Sequence, residues 1–334
     1  MLKVGIPRAL SYYRYFPLWK TLLEDLGAEV VVSRPTSKRL LEEGVRHCVD
    51  DICVPVKLYY GHLLDLMETV DCIFASRVVS VEKADHDTYT CPKLIGLPDM
   101  IKGSVEGLPP MLEFVVDVQN RPLKAGVRDL ASALGAHQSL VRPALRHGLA
   151  VQSIYEARLL DGDEPDSAME RAFSGVGRRE RQPVEGDITI ALVGHEYIIH
   201  DYYLSHNLPR KRACLGARVL DASQVPPAQV ERELARYRGI SWSYEKELLG
   251  SASHFLRRDD VDGVMLVMGF ACGPDSIIGE IITREVRRPD SPPLTTLVLD
   301  EHTGEAGVST RVEAFVDLLR RSRGKRPGPG PASG

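Results

Sequence analysis

The chain has 334 residues, 43% of them hydrophobic and 26% charged, with a formal net charge of -4 and a pI near 6.2. That balance offers no broad basic footprint for nucleic acid or an anionic membrane surface, and no apolar run approaches the roughly 18 residues that a membrane span needs. The opening MLKVGIPRAL lacks the apolar segment of a secretory signal, so the expectation is a cytoplasmic protein with no nucleic-acid or membrane partner, long enough for two domains.

Residues 2–6 read as a short buried strand, and Arg8 to Gly27 as a helix interrupted by Pro17, with Tyr12, Leu18, Leu22, Leu23 and Leu26 on one face. A second strand is expected at 29–32 and a helix over 37–47. Pro55 marks the start of a helix running to Glu68. Strands are expected at 71–79 and 113–118, with helices at about 126–135 and 137–160 between this half and the next. The stretch 161–187 is polar and rich in Gly and Pro, as a domain boundary is. Beyond it come strands at 188–194, 263–269 and 294–300 and helices at 274–287 and 308–321. The tail 322–334 reads as disordered.

The two halves share an outline. Gly5 recurs as Gly194 and Leu26-Gly27-Ala28 as Leu215-Gly216-Ala217, at one constant offset; Val70-Asp71 recurs as Val261-Asp262 two residues further on. Chance would also produce short matches of this kind. Strands alternating with helices predict an α/β protein with two doubly wound, parallel-sheet domains of Rossmann-like type: 1–160, a linker at 161–187, and 188–321. In such sheets ligands bind beyond the carboxyl ends of the strands.

The sequence holds six cysteines. Cys48 and Cys53 lie in HCVDDICVPVK, Cys91 opens Cys-Pro-Lys, and Cys272 follows the strand 263–269. The strand alternation puts Cys53, Cys91 and Cys272 near one crevice. In a reducing compartment clustered cysteines suggest metal or redox chemistry before disulfides, and the expectation is that these four meet and bind an iron–sulfur cluster. Helix N-termini after Cys53 and Cys272, with Lys57, Arg77, Lys83 and Lys93 nearby in sequence, would favour an anionic group. On one helix Cys48 and Cys53 would stand roughly 140° apart, so 48–53 should be a loop. The spacing is neither that of a zinc finger nor that of a ferredoxin. The plain alternative is four small buried hydrophobes; for Cys72 and Cys214 that packing role is the preferred reading.

His195-Glu196-Tyr197-Ile198-Ile199-His200 is one residue too long for the H-E-x-x-H zinc peptidase helix. It follows a strand, however, so His195 and Tyr197 are candidates for a substrate-facing role, as is Glu301 in the loop after the last strand; a solvated loop is the other reading of each. No phosphate-binding G-x-x-x-x-G-K-[ST] is present, and the G-x-G at Gly175 lacks both a third glycine and a preceding strand.

The stretches CVDDICVPVKLYYGH, CPKLIGLPDM, GFACGPDS and LDEHTGEAGVSTRVEAF resemble the acyl-CoA dehydratase activase-related proteins. These are relatives of the D-component of 2-hydroxyacyl-CoA dehydratases and of benzoyl-CoA reductase subunits. The resemblance runs from about residue 2 to 320 and is most specific at the cysteines. It implies two Rossmann-like domains around a [4Fe-4S] cluster at their interface, ligated by Cys48, Cys53, Cys91 and Cys272. It further implies an ATP-hydrolysing activase as electron donor, an acyl-CoA substrate, an anaerobic setting, and either a homodimer or a heterodimer with a related subunit. GHEY…HDYY resembles the GRPYH-like motif of larger activase fusions, with His195 in place of the Arg and Ile198 in place of the His after Tyr. In the dehydratases three cysteines hold each cluster and leave one iron open; four here would suit a closed, electron-carrying cluster unless Cys48 or Cys53 is spare. A double-cubane cluster would have to recruit Cys72 and Cys214. The functions in play are thus a lyase or reductase component for reductive dehydration or reduction of an acyl-CoA, an electron or cluster carrier without a substrate, and a binding module with zinc or no metal.

Overall fold

A computed structural model describes residues 1–83, 88–175, 186–288 and 291–323, and the side chains of these except 212–214 and 323. The first half runs β1 (Leu2–Ile6), α1 (Tyr12–Asp25), β2 (Ala28–Val32), α2 (Lys38–Arg46), α3 (Val54–Leu66), β3 (Cys72–Ser80), α4 (Pro92–Ile95), α5 (Leu97–Ser104), β4 (Met111–Asp117), α6 (Leu123–Ala133), α7 (Val141–Leu160) and α8 (Pro165–Ser174). The second runs β5 (Ile188–Gly194), α9 (Glu196–Ile199), α10 (Leu208–Cys214), β6 (Ala217–Asp221), α11 (Pro227–Leu234), α12 (Ser243–Phe255), β7 (Gly263–Gly269), α13 (Gly273–Glu285), β8 (Leu294–Leu299) and α14 (Glu305–Arg323). The strands form two four-stranded sheets, ordered β2-β1-β3-β4 and β6-β5-β7-β8, and every pairing is parallel. The protein is α/β with two Rossmann-like sheets flanked by helices, as the alternation of strands and helices predicts. No helix among the described residues is long and apolar enough to cross a membrane.

The internal repeat is physical. Asp71 accepts from the Lys3 N–H while its own N–H donates to the Lys3 carbonyl; Asp262 makes the same pair of bonds with Thr189. Gly27 and Gly216 both take positive φ, 93° and 73°, immediately before β2 and β6, a conformation open to glycine at little cost. In each sheet the strand order reverses between the first strand and the third, so β5 and β7 flank the switch point of the second sheet.

Successive strand residues face opposite ways, and each sheet is covered on both sides. In the first, Phe74 and Val78 pack with α1, α6, α7 and α8, while Ile73 packs with α3, α4 and α5. In the second, Ile190 and Leu192 pack with α14, and Ala191 and Val193 with α11, α12 and α13. Two features depart from the sequence reading. Within 161–187, expected as a linker, α8 is a helix whose Ala168, Met169 and Ala172 pack into the first core; 176–185 lie outside the described residues, as does the tail from 324. The helices α4, α5, α11 and α12 carry no sequence expectation at all.

The α2–α3 pair is fixed by backbone contact. A Cβ on Gly44 would stand 1.9 Å from the Lys57 carbonyl oxygen, and one on Gly61 2.0 Å from that of Leu40. Leu41 of α2 and Val54 and Leu58 of α3 join the second core, while Val56, Tyr59, Tyr60 and Leu63 join the core under the first sheet. One hydrogen-bonded chain also ties the halves. The Ser33 hydroxyl, which accepts from the Arg8 N–H (2.9 Å), lies 2.8 Å from His62 Nδ1. His62 Nε2 lies 2.9 Å from Thr36 Oγ1, which in turn donates to Asp201. With the Thr36 hydroxyl donating to that carboxylate, Nε2 is the donor to Thr36, and burial, which disfavours the imidazolium, leaves Nδ1 as the acceptor from Ser33.

Gly44→Ala or Gly61→Ala should force α2 and α3 apart and destabilise by roughly 2 kcal/mol or more, read as a lowered Tm. Burial pushes His62 down from its ordinary 6.5 to about 4. Because the folded value is the lower one, the preference for neutral imidazole stabilises above pH 6.5 and is lost as the pH falls through about 4. Denaturant unfolding across that window should show a loss on the order of 2–3 kcal/mol that His62→Gln removes.

Candidate functional site

Three cysteines are built into the protein in one way. Cys53, Cys91 and Cys272 are the N-cap residues of α3, α4 and α13, each in extended conformation with a proline in the first turn that follows. Proline there presets the helical φ and removes an N–H that would have no partner. None of the three sulfurs makes a full capping hydrogen bond, yet the N–H three residues on, at Val56, Leu94 and Asp275, favours the thiolate in each case. Cys48 follows α2 on a turn, half-buried, its thiol 3.8 Å from the Val45 carbonyl oxygen.

The loops that carry these residues are tied together. The Val54 N–H reaches the Phe270 carbonyl at 3.4 Å, and Lys93 Nζ donates to the Ala271 carbonyl at 3.1 Å. Gly269 lies so close to α3 that a Cβ there would stand 3.2 Å from the Pro55 ring. Ala271 takes a left-handed φ of 61°, a conformation non-glycine residues rarely adopt, and so turns the chain from β7 into Cys272. The Cys91 loop is also bridged to the start of α12, where the Ser243 N–H donates to the Tyr89 carbonyl at 2.9 Å.

Burial pushes all four thiols up, Cys91 to about 11. A charge on Cys53 raises each of the other three further, so each of them lies within electrostatic reach of Cys53. Lys57 opposes this at Cys48 and Lys93 at Cys53. Arg77 instead braces α4 and α5 through the Ile95 carbonyl, Asp99 and Glu113. Cys72 is buried at the opposite, amino-terminal end of β3, its thiol 3.9 Å from the Lys3 carbonyl oxygen, and belongs to a different core. The side chain of Cys214 lies outside the described residues.

His195 stands at the carboxyl end of β5 and is 4% exposed. Its Nε2 lies 2.8 Å from Asp275 Oδ1 and 3.9 Å from Glu245 Oε1, and its ring stacks on Tyr197 at 4.8 Å. Burial works against the imidazolium, but Asp275 and then Glu245 outweigh it and raise His195 to about 9. Burial raises Tyr197, and the charges of Asp275, Cys272 and Cys91 add to this; the ring that stacks on His195 also packs against the core that holds Cys53, Cys91 and Cys272. Glu301 differs from the expectation of a ligand-facing carboxylate: it forms an ion pair with buried Lys57 of α3. On the far side of His195 a cleft of about 510 Å³ opens between the halves, lined among others by Tyr13, Arg14, Gln152, His195, Asp221 and Tyr244. Arg14 lies 4.6 Å over the Tyr244 ring and bonds Glu196 at 2.8 Å and also Glu247.

Residues 3–225 match the family described as the CoA enzyme activase uncharacterised domain (DUF2229). The chain belongs to this family. None of the curated proteins matches it. The activase-domain match takes in Cys48, Cys53, Cys91, His195 and Tyr197 and stops before α12 and α13, which carry Glu245 and Cys272.

Sequence reasoning missed Arg14, Tyr244, Glu245 and Asp275. Asp275 had a signal, sitting three residues after Cys272 in the first turn of a helix that follows a strand; Glu245 and Tyr244 had none, because α12 itself lacks a clear pattern.

The Lys57–Glu301 pair joins α3 to the loop after β8, with side chains 5% and 14% exposed. Lys57→Met and Glu301→Leu should each destabilise by roughly 2–3 kcal/mol, because each strands a charge. The double variant should cost clearly less than the sum, a coupling that denaturant unfolding of the four proteins would measure.

Proposed function

We propose that this protein is the iron–sulfur component of an acyl-CoA dehydratase or reductase system, related to the D-component of 2-hydroxyacyl-CoA dehydratases, with a [4Fe-4S] cluster on Cys48, Cys53, Cys91 and Cys272. The observation that carries this reading is the tying of Cys53, Cys91 and Cys272, from three remote segments and each at a helix N-terminus, by the Val54–Phe270 and Lys93–Ala271 hydrogen bonds. The donor set fits such a group: four thiols, with N–H groups and the Lys57 and Lys93 ammoniums near to offset an anionic cluster. When bound, the cluster supplies one-electron transfer at low potential.

The chain's own residues supply the surroundings. His195 lines the cleft and stacks on Tyr197, which packs with the cysteine-bearing core, and the cleft's size supports a substrate there in preference to a bare electron carrier. Exposed Val49, Phe270 and Ile277, at 70%, 55% and 52%, lie beside the cysteines in sequence and suit the docking of an ATP-hydrolysing activase as electron donor.

Protein purified without oxygen should contain about four iron and four sulfide per chain and give an EPR signal on reduction. Cys48→Ser, Cys53→Ser, Cys91→Ser and Cys272→Ser should each lose or alter it, while Cys72→Ser and Cys214→Ser keep it. Iron-free or zinc-loaded material, or equal effects from Cys72→Ser, would overturn the assignment. A spectral shift on adding an acyl-CoA supports substrate at the cluster; its absence supports the carrier.

A further inference from the structure

Asp275, Glu245 and His195 come from three elements that meet at the switch point of the second sheet. His195 directly follows β5 as the N-cap residue of α9, Asp275 lies in the first turn of α13 and Glu245 in the first turn of α12. Their ligand atoms all lie within 4.8 Å of one another, and the side chains are only 4%, 4% and 1% exposed for His195, Glu245 and Asp275.

We propose that His195, Glu245 and Asp275 form a site for a single divalent transition-metal ion, distinct from the cysteines. The charge count is the first argument. Two carboxylates face one imidazole, so even a protonated ring leaves an excess negative charge in the interior. The neighbouring cations are committed elsewhere: Arg14 to Glu196 and Glu247, and Lys93 to the Ala271 carbonyl.

The second argument is the fate of the remaining oxygens. Glu245 Oε2 and Asp275 Oδ2 are buried and have no hydrogen-bond partner. Buried carboxylate oxygens without partners are costly, and native interiors satisfy nearly all of them. A cation on these oxygens removes that cost and the charge excess together.

One imidazole with two carboxylates suits zinc, manganese or iron(II), and not the soft ions that thiolates select. Three protein ligands are the pattern of metal sites that keep a position open for an exogenous oxygen. His195 forms part of the cleft wall, so the ion lies beside the space where a ligand would bind. There it can polarise a carbonyl or hydroxyl oxygen as a Lewis acid.

Manganese is the probe of choice, because cysteine thiolates bind it poorly. Mn2+ added to the full-length protein, purified without oxygen, should lose its free-ion EPR signal up to one ion per chain and raise the Tm. Zn2+ should displace it. Cys53→Ser should leave the uptake unchanged, whereas Glu245→Gln and Asp275→Asn, checked for native circular dichroism, should weaken it at least about tenfold. Wild-type protein that takes up no Mn2+ and gains no Tm would overturn the proposal, as would Glu245→Gln binding as tightly as wild type. The outcome is independent of the iron–sulfur reading, which the cysteine variants test separately.

Discussion

Helix α3 is buried on nearly every side and belongs to two cores at once. Val54 and Leu58 pack under the second sheet, Val56, Tyr59, Tyr60 and Leu63 under the first. A helix of that kind is stable only when fully enclosed, so the two halves must close around it. Two of its buried polar side chains are answered from the other half, Lys57 by Glu301 and His62, through Thr36, by Asp201. Cys53 caps this helix, which fixes its sulfur at the junction of the two sheets.

Much of the architecture was legible from periodicity. The strand at 263–269 is found to the residue, and the paired Asp71 and Asp262 mark a repeat whose hydrogen bonds are the same in both halves. The turns at Cys53 and Cys272 were readable because a proline two residues on is a local signal for a helix start; Cys91-Pro92 carries the same signal for α4, too short a helix to show periodicity. What stayed hidden depends on contacts between remote segments. Gly44 and Gly61 look like ordinary helix residues until α2 and α3 touch backbone to backbone. Glu301 reads as a free loop carboxylate, and only the fold brings Lys57 to it. Glu245 lies in a helix whose sequence resembles many others, and its meaning comes from His195 and Asp275 across the switch point.

Duplication also explains the distribution of chemistry. Both halves offer the carboxyl edge of a parallel sheet, the place where α/β proteins bind ligands. The first half contributes Cys48, Cys53 and Cys91. The second contributes Cys272, His195 and the acidic groups around it. Neither half holds the full set, and membership of the activase-domain family rests on a segment that spans the first half and only part of the second.

The two sides of the junction differ in what parting them would expose. On the α3 side, separation uncovers Val54 and Leu58 and breaks the enclosed Lys57–Glu301 pair. On the cleft side it breaks polar contacts such as Arg14 with Glu196 and Lys246 with Glu82, whose side chains already meet solvent. Parting the halves would therefore cost more along the α3 margin, where apolar side chains and an enclosed ion pair are uncovered, than along the cleft, where the ion pairs are already solvated.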